Sequence, residues 1–317
     1  MNTLGPLIID IAGTTLSPAD RRRLTHPMVG GVILFSRNFA DYSQIKTLIQ
    51  EIHQLRQPRL LVAVDHEGGR VQRWRSGFTR IPSMSTLGQL YATNQTLALQ
   101  SAYRYGRIIA EELTAVGVDL NLAPVLDLDY GYSRVLEGGR SFHADAKTVT
   151  TLARAYIQGL RGAGMQAVGK HFPGHGAVVL DTHFELPEDN RPYSELASDI
   201  LPFQQLVHEK LLGGIMTAHI RYSKLNSQIA TISSYWLQTV LRQQLGFEGV
   251  IMSDCISMLA LAYEGNFPTR LRKALRAGCD LVLLCNNPSA VDQVLECMDA
   301  WPDTTSAIKK LYKTTCK

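Results

Sequence analysis

Short apolar runs alternate along this chain with longer stretches whose apolar residues recur every three or four positions. Leu7-Ile8-Ile9-Asp10-Ile11, Val32 to Phe35 and Leu60 to Val64 are the first three runs, each with the length of a buried strand. Between the first two, Ser17-Pro18 supplies a helix N-cap followed by a proline at the first helical position. Ile45, Leu48, Ile49 and Ile52 stripe one face of a helix predicted over 41–57 and ended by Pro58. A helix over 95–116, with Tyr105, Ile108, Ile109 and Leu113 on one face, gives way at Gly117 to a fourth strand, Val118 to Leu122, which Pro124 stops. A helix of about 18 residues from roughly 145 ends near Gly162 and Gly164, and Met165 to Gly169 reads as the fifth strand. Ile200, Phe203, Leu206, Val207 and Leu211 mark the next helix, before a sixth strand from Gly214 to Ala218. Ser234 caps a helix faced by Leu237, Val240, Leu241 and Leu245, and Val250 to Met252 follows as the seventh strand. A helix near 267–277 leads to the eighth, Leu281 to Leu284.

Mostly apolar strands separated by helices belong to a parallel sheet covered on both faces. Eight of them predict an α/β fold of the (β/α)8 barrel type. An open doubly wound sheet usually has fewer units and often a glycine phosphate loop, and neither the Rossmann nor the P-loop pattern occurs. No repeat, low-complexity tract or linker interrupts the chain, so residues 1–317 are read as one catalytic domain.

Polar residues return at the ends of these strands, where a barrel gathers its chemistry. Asp65 ends the third strand and opens Asp65-His66-Glu67-Gly68-Gly69-Arg70-Val71-Gln72-Arg73. Arg140 lies downstream of the fourth, in Gly138-Gly139-Arg140-Ser141-Phe142. Lys170-His171-Phe172-Pro173-Gly174-His175-Gly176 follows the fifth and runs on to Asp181-Thr182-His183; its proline and glycines predict a loop. His219 follows the sixth strand and Asp254 the seventh.

Asp254 is a carboxylate at the barrel rim, able to attack an electrophilic carbon. His183 can give and take a proton near neutrality, and Asp181 two residues before it can orient the imidazole. Asp65, Arg73, Arg140, Lys170 and His171 suit a ligand rich in hydroxyls and carbonyls. The expected chemistry is glycosyl transfer through a covalent intermediate, with nucleophile and acid/base about 5 to 5.5 Å apart. The Asp181–His183 pair then takes the part usually played by a second carboxylate. Plainer roles exist for several residues: Asp254 as a helix cap, Asp65 in an ion pair with Arg70 or Arg73, His219 as a wall residue, His175 as a shaper of the loop.

Composition narrows the setting. At 45% hydrophobic and 19% charged residues the chain has the make-up of a globular protein. The net charge of +4 comes in good part from Lys309, Lys310, Lys313 and Lys317, read as a solvated final helix, so no nucleic-acid partner is expected. Five cysteines, at 255, 279, 285, 297 and 316, show no framework or CxxC spacing and read as reduced thiols, the first four packed. Met1 to Gly13 lacks a basic leader and is a first strand. No apolar run reaches about 18 residues, so no membrane partner is expected. A cytoplasmic monomer without cofactor or metal is the expectation.

The motifs Asp65-x-Glu67-Gly68-Gly69-Arg70-Val71-Gln72-Arg73, Asn121 to Asp127, Arg140-Ser141-Phe142, Lys170 to His183 and Val250 to Asp254 resemble, in order, those of family 3 glycoside hydrolases. The resemblance is to the bacterial cytoplasmic β-N-acetylglucosaminidases of peptidoglycan recycling. It implies a cofactor-free single barrel with Asp254 as nucleophile, His183 as acid/base and Asp181 as its partner. It further implies that Asp65, Arg73, Arg140, Lys170 and His171 bind N-acetylglucosamine (GlcNAc). The implied substrate is a small muropeptide, GlcNAc linked β-1,4 to 1,6-anhydro-N-acetylmuramic acid, with or without a stem peptide. Cys255 stands where many relatives carry a second aspartate, and Val135 to Gly139 and Ile256 to Ala260 also depart from the family's pattern. Three other readings stay open at this point: a phosphorylase on the same site, a metal hydrolase using His171, His175, His183 and Asp181, and a non-catalytic sugar-binding barrel.

Overall fold

The computed structural model describes residues 3–298 and 300–312; Met1, Lys313, Cys316 and Lys317 lie outside the described residues. Ten strands occur among them: β1 (Leu7–Ile9), β2 (Val29–Leu34), β3 (Leu61–Val64), β4 (His66–Gly68), β5 (Val71–Gln72), β6 (Leu120–Asn121), β7 (Val168–Phe172), β8 (Gly214–Thr217), β9 (Val250–Ser253) and β10 (Val282–Leu284). Parallel pairing runs β10-β1-β2-β3-β6 in one set and β7-β8-β9 in another. Two parallel bridges, Val125 to Lys170 and Met252 to Leu281, join the sets into a closed ring of eight strands. At the first seam the Leu126 N–H donates to the Lys170 carbonyl at 2.6 Å; at the second the Ser253 N–H donates to Leu281 at 3.0 Å. The remaining pair, β4 and β5, is an antiparallel hairpin at the C-terminal end of β3. The fold is a (β/α)8 barrel.

The helices are α1 (Pro18–Thr25), α2 (Tyr42–Gln54), α3 (Met84–Thr93), α4 (Gln95–Val116), α5 (Ala146–Gly162), α6 (Tyr193–His208), α7 (Phe267–Ala277), α8 (Pro288–Cys297) and α9 (Thr305–Leu311). A π-helix, Tyr235–Gln244, stands between β8 and β9. Side-chain oxygens of Ser17, Asp41, Asn94 and Asp145 accept backbone N–H groups at the starts of α1, α2, α4 and α5. Every residue of β1, β2, β3 and β7 to β10 is buried, as strands between helices and barrel interior must be.

Two strand boundaries differ from the sequence reading in ways that matter. β2 begins at Val29 and takes in Gly30 and Gly31, because a Cβ on Gly30 would lie 2.2 Å from the Gly5 carbonyl oxygen and one on Gly31 2.6 Å from that of Leu61. β7 runs to Phe172, not to Gly169, so Lys170 and His171 belong to the strand and not to the loop after it. A strand tolerates these polar residues because both side chains are buried against carboxylates. Met84–Thr93 and the β4–β5 hairpin have no counterpart in the sequence reading.

Candidate active site

β3 and the hairpin bring two carboxylates to one side of the barrel mouth. Asp65 and Glu67 are two residues apart in extended chain, so both side chains share a face. Lys170, in β7, reaches past β6 with Nζ 2.8 Å from Asp65 Oδ1 and 2.6 Å from Glu67 Oε1. Arg73 donates to Asp65 at 3.0 Å, and Arg140 forks onto Glu67 at 2.7 and 2.8 Å. Burial works to raise the Glu67 pKa, but Arg140 and Lys170 outweigh it and hold the carboxyl at about 2. Asp65 lies far below the carboxylate range for the same reason, with Lys170 and Arg73 overcoming burial. Asp65 therefore pairs with Arg73 and Lys170, and not with Arg70. Two carboxylates and three cations leave a rigid, net cationic set of donors suited to hydroxyl and carbonyl oxygens.

A further buried carboxylate, Asp127, organises the start of the loop from Pro173 to His183. One oxygen accepts the His171 ring Nδ1–H at 2.6 Å; the other accepts the backbone N–H groups of His171 and His175 at 3.0 and 2.8 Å. Burial opposes ionisation of Asp127, but these partners keep its pKa below the ordinary value. The loop is fixed further along as well. The Tyr222 hydroxyl donates to the Gly174 carbonyl at 2.7 Å, and a Cβ on Gly176 would lie 1.7 Å from the Leu128 oxygen. His175 is fully buried, and burial together with the His171 charge lowers its pKa to about 4. It shapes the loop from within.

At the loop's far end Asp181 Oδ1 accepts both the ring Nδ1–H and the backbone N–H of His183, at 2.7 and 2.9 Å. The His183 side chain is 62% exposed. Backbone donors on Leu259 and Ala260 hold the carbonyls of His183 and Thr182 at 3.4 and 3.2 Å. Asp254 follows β9. Its Oδ1 accepts the Cys255 N–H at 2.7 Å, one residue on, so it caps no helix. Burial pushes the Asp254 pKa up, yet His171, His219 and that N–H bring it below the ordinary value, so the group is anionic at neutrality. His219 is buried; its Nε2–H donates to the Cys255 carbonyl at 3.0 Å, behind the carboxylate.

All eight side chains selected from the sequence line one cavity of about 250 Å³: Asp65, Arg73, Arg140, Lys170, His171, Asp181, His183 and Asp254. Glu67 and Asp127 are the important residues that the sequence reading quoted without assigning a task. Asp127 had a signal in its position, an acid inside the apolar stretch Val125 to Leu128, whereas Glu67 had only its two-residue spacing from Asp65. Cys279 and Cys285 are packed as expected, whereas Cys255 is half-buried at the cavity and Cys297 is exposed. His171, His175, His183 and Asp181 do not gather as ligands: among the described residues no three His, Cys, Asp or Glu side chains are placed to hold a metal ion. No helix among those residues is long and apolar enough to cross a membrane.

Residues 9–312 match the glycosyl hydrolase family 3 N-terminal domain. The chain belongs to this family. It is therefore a glycosidase. A relative, the β-hexosaminidase of Thioalkalivibrio sulfidiphilus, is 51% identical over 96% of this chain and 87% of its own length. The crystal structure of NagZ from Neisseria gonorrhoeae in complex with N-trifluoroacetyl-D-glucosamine superposes with a TM-score of 0.93 at 42% identity, covering 99% of this chain and 91% of that one. A family 3 β-N-acetylglucosaminidase from a Paenibacillus species gives a TM-score of 0.86 at 30% identity, over 96% of this chain and 60% of that one.

Proposed function

We propose that this protein is a retaining exo-β-N-acetylglucosaminidase that uses Asp254 as nucleophile and His183 as acid/base. The observation that carries this reading is the meeting of an anionic Asp254 with the Asp181–His183 pair in one cavity, over the polar floor of Asp65, Lys170, Glu67 and Arg140. The relatives named β-hexosaminidase and the N-trifluoroacetylglucosamine bound by the Neisseria protein support the sugar.

In the first step an Asp254 oxygen forms a bond to the anomeric carbon as the glycosidic C–O bond breaks. The leaving oxygen takes the proton from His183 Nε2. Asp181 holds Nδ1–H, which fixes the ring orientation and leaves Nε2 to carry the transferred proton. In the second step water gives its proton to Nε2, attacks the anomeric carbon and frees Asp254. Asp65, Arg73, Arg140, Lys170 and His171 bind the terminal GlcNAc. Glu67 keeps Arg140 and Lys170 in position, and Asp127 does the same for His171.

The substrate in this reading is a GlcNAc-β-1,4-(1,6-anhydro)MurNAc muropeptide, the setting is peptidoglycan recycling in the cytoplasm, and residues 1–317 work as one catalytic domain and as a monomer. Asp254→Ala tests the assignment. Its hydrolysis of a nitrophenyl β-N-acetylglucosaminide should fall at least about 10⁴-fold, as loss of a covalent nucleophile does; a variant with unimpaired rate would refute the role.

A further inference from the structure

Two thiols lie in the wall of the cavity, one of them directly after Asp254. Cys255 and Cys285 both line it, at the ends of the neighbouring strands β9 and β10. Cys255 Sγ is 3.1 Å from the Cys285 backbone nitrogen, which donates to it, and 3.1 Å from the Ser257 hydroxyl. That hydroxyl also donates to the Cys285 carbonyl at 2.9 Å. The two side chains act on each other: Cys285 is the main reason the Cys255 pKa is lowered, and Cys255 is the main reason that of Cys285 is raised well above the ordinary value. Cys255 is thus the more readily ionised of the two and has an opening to solvent, while Cys285 is packed in the interior and keeps its proton. This is the arrangement of an attacking thiol beside a resolving thiol.

We propose that Cys255 and Cys285 form a peroxide-reactive dithiol that closes to a disulfide and switches the enzyme off reversibly. The Cys255 thiolate attacks one oxygen of hydrogen peroxide, the O–O bond breaks, and the released hydroxide takes a proton to leave as water. Cys255 is then a sulfenic acid. Cys285 loses its proton and attacks Cys255 Sγ, an S–S bond forms, and the sulfenic oxygen leaves as a second water. Two thiols are oxidised and one peroxide is reduced. The small oxidant suits a cavity of about 250 Å³.

The effect on catalysis follows from the backbone. The Cys255 N–H holds Asp254 at 2.7 Å, and the Cys255 carbonyl is held by His219 at 3.0 Å. Drawing Cys255 Sγ onto Cys285 breaks its contact with the Ser257 oxygen and the bond from Cys285 N, and turns the peptide that positions the carboxylate. The link to rate rests on Asp254 being the nucleophile; the disulfide does not.

The test treats the reduced full-length chain with hydrogen peroxide, alkylates free thiols, and maps peptides by mass spectrometry while the hydrolysis rate is followed. The expected result is a Cys255–Cys285 cross-linked peptide, with a rate loss of about tenfold or more that dithiothreitol reverses. In Cys285→Ser, dimedone should label Cys255 as the trapped sulfenic acid. The proposal is overturned if both cysteines remain alkylatable while activity falls, if the cross-link forms with no change in rate, or if dimedone labels other cysteines and not Cys255. Failure of the nucleophile assignment would show separately, as activity retained by unoxidised Asp254→Ala, and leaves the cross-link readout unaffected.

Discussion

Asp254 and Asp181 are both held below the usual aspartate pKa, yet their surroundings suit them to different work. Asp254 is anionic against burial, drawn down by His171 and His219 and by one backbone donor, and it has solvent on the cavity side. Asp181 spends one oxygen on a single imidazole, whose backbone N–H it also accepts. The first carboxylate is free to form a bond to carbon, and the second to hold a neighbour's proton in place. His183→Ala should therefore lose about 10² to 10⁴ in kcat/KM on glycosides with poor leaving groups and far less on activated aryl glycosides. An equal loss on both, measured across a leaving-group series, would contradict its role as the acid. At this scale the sequence was informative wherever a residue's own chemistry is distinctive. A histidine two places after an aspartate in a glycine-rich loop already suggests a pair. Glu67 and Asp127 were harder to see because their importance lies in partners 73 and 44 positions away.

Among the elements, β3 and β7 carry the most consequence, since their side chains meet inside the barrel. Lys170 is buried but for its face on the cavity and is compensated by Asp65 and Glu67 together. Replacing it by Met keeps the volume but leaves two buried carboxylates sharing Arg73 and Arg140. Lys170→Met should destabilise the fold by about 3 kcal/mol, read from urea unfolding; a change below about 1 kcal/mol would mean that the pairing is no stronger than a surface ion pair. The same contact explains why the end of β7 was misread. Charge in an apolar run looks like the end of a strand until its counter-charge, on a strand 105 positions earlier, is known. Helix boundaries were more legible: Gln95–Val116 with its left-handed Gly117, and Phe267–Ala277, follow from local caps and spacing alone. The glycines inside β2 report on the Gly5 and Leu61 carbonyls of other segments, which no local pattern reveals.

Across the whole molecule, the barrel and its covering helices hold the loop from Pro173 to His183 from behind as well as from the mouth. Asp199 of α6 packs beneath Gly174 and is bound by Arg191 at 2.9 Å and the Tyr130 hydroxyl at 3.1 Å. Burial nevertheless pushes its pKa up to about 6 from an ordinary 3.8. The folded state then binds this proton more tightly than the unfolded one. The resulting stability is complete below the unfolded value and is lost as pH rises through about 6. Unfolding free energies of wild type relative to Asp199→Asn should fall by about 2 kcal/mol between about pH 4 and pH 7; a flat difference would contradict the raised pKa. The eight-fold alternation made the architecture legible at this scale, because buried parallel strands separated by helices admit few closed arrangements. The closure itself rests on two single bridges, and sequence periodicity is silent on those. The central claim is that Asp254 becomes glycosylated during turnover. Incubation with a 2-fluoro glycoside that accumulates the glycosyl-enzyme, followed by peptide mapping, tests it most directly. The sugar mass should appear on the peptide at Asp254; an adduct on another residue, or turnover with no adduct at all, would contradict the account.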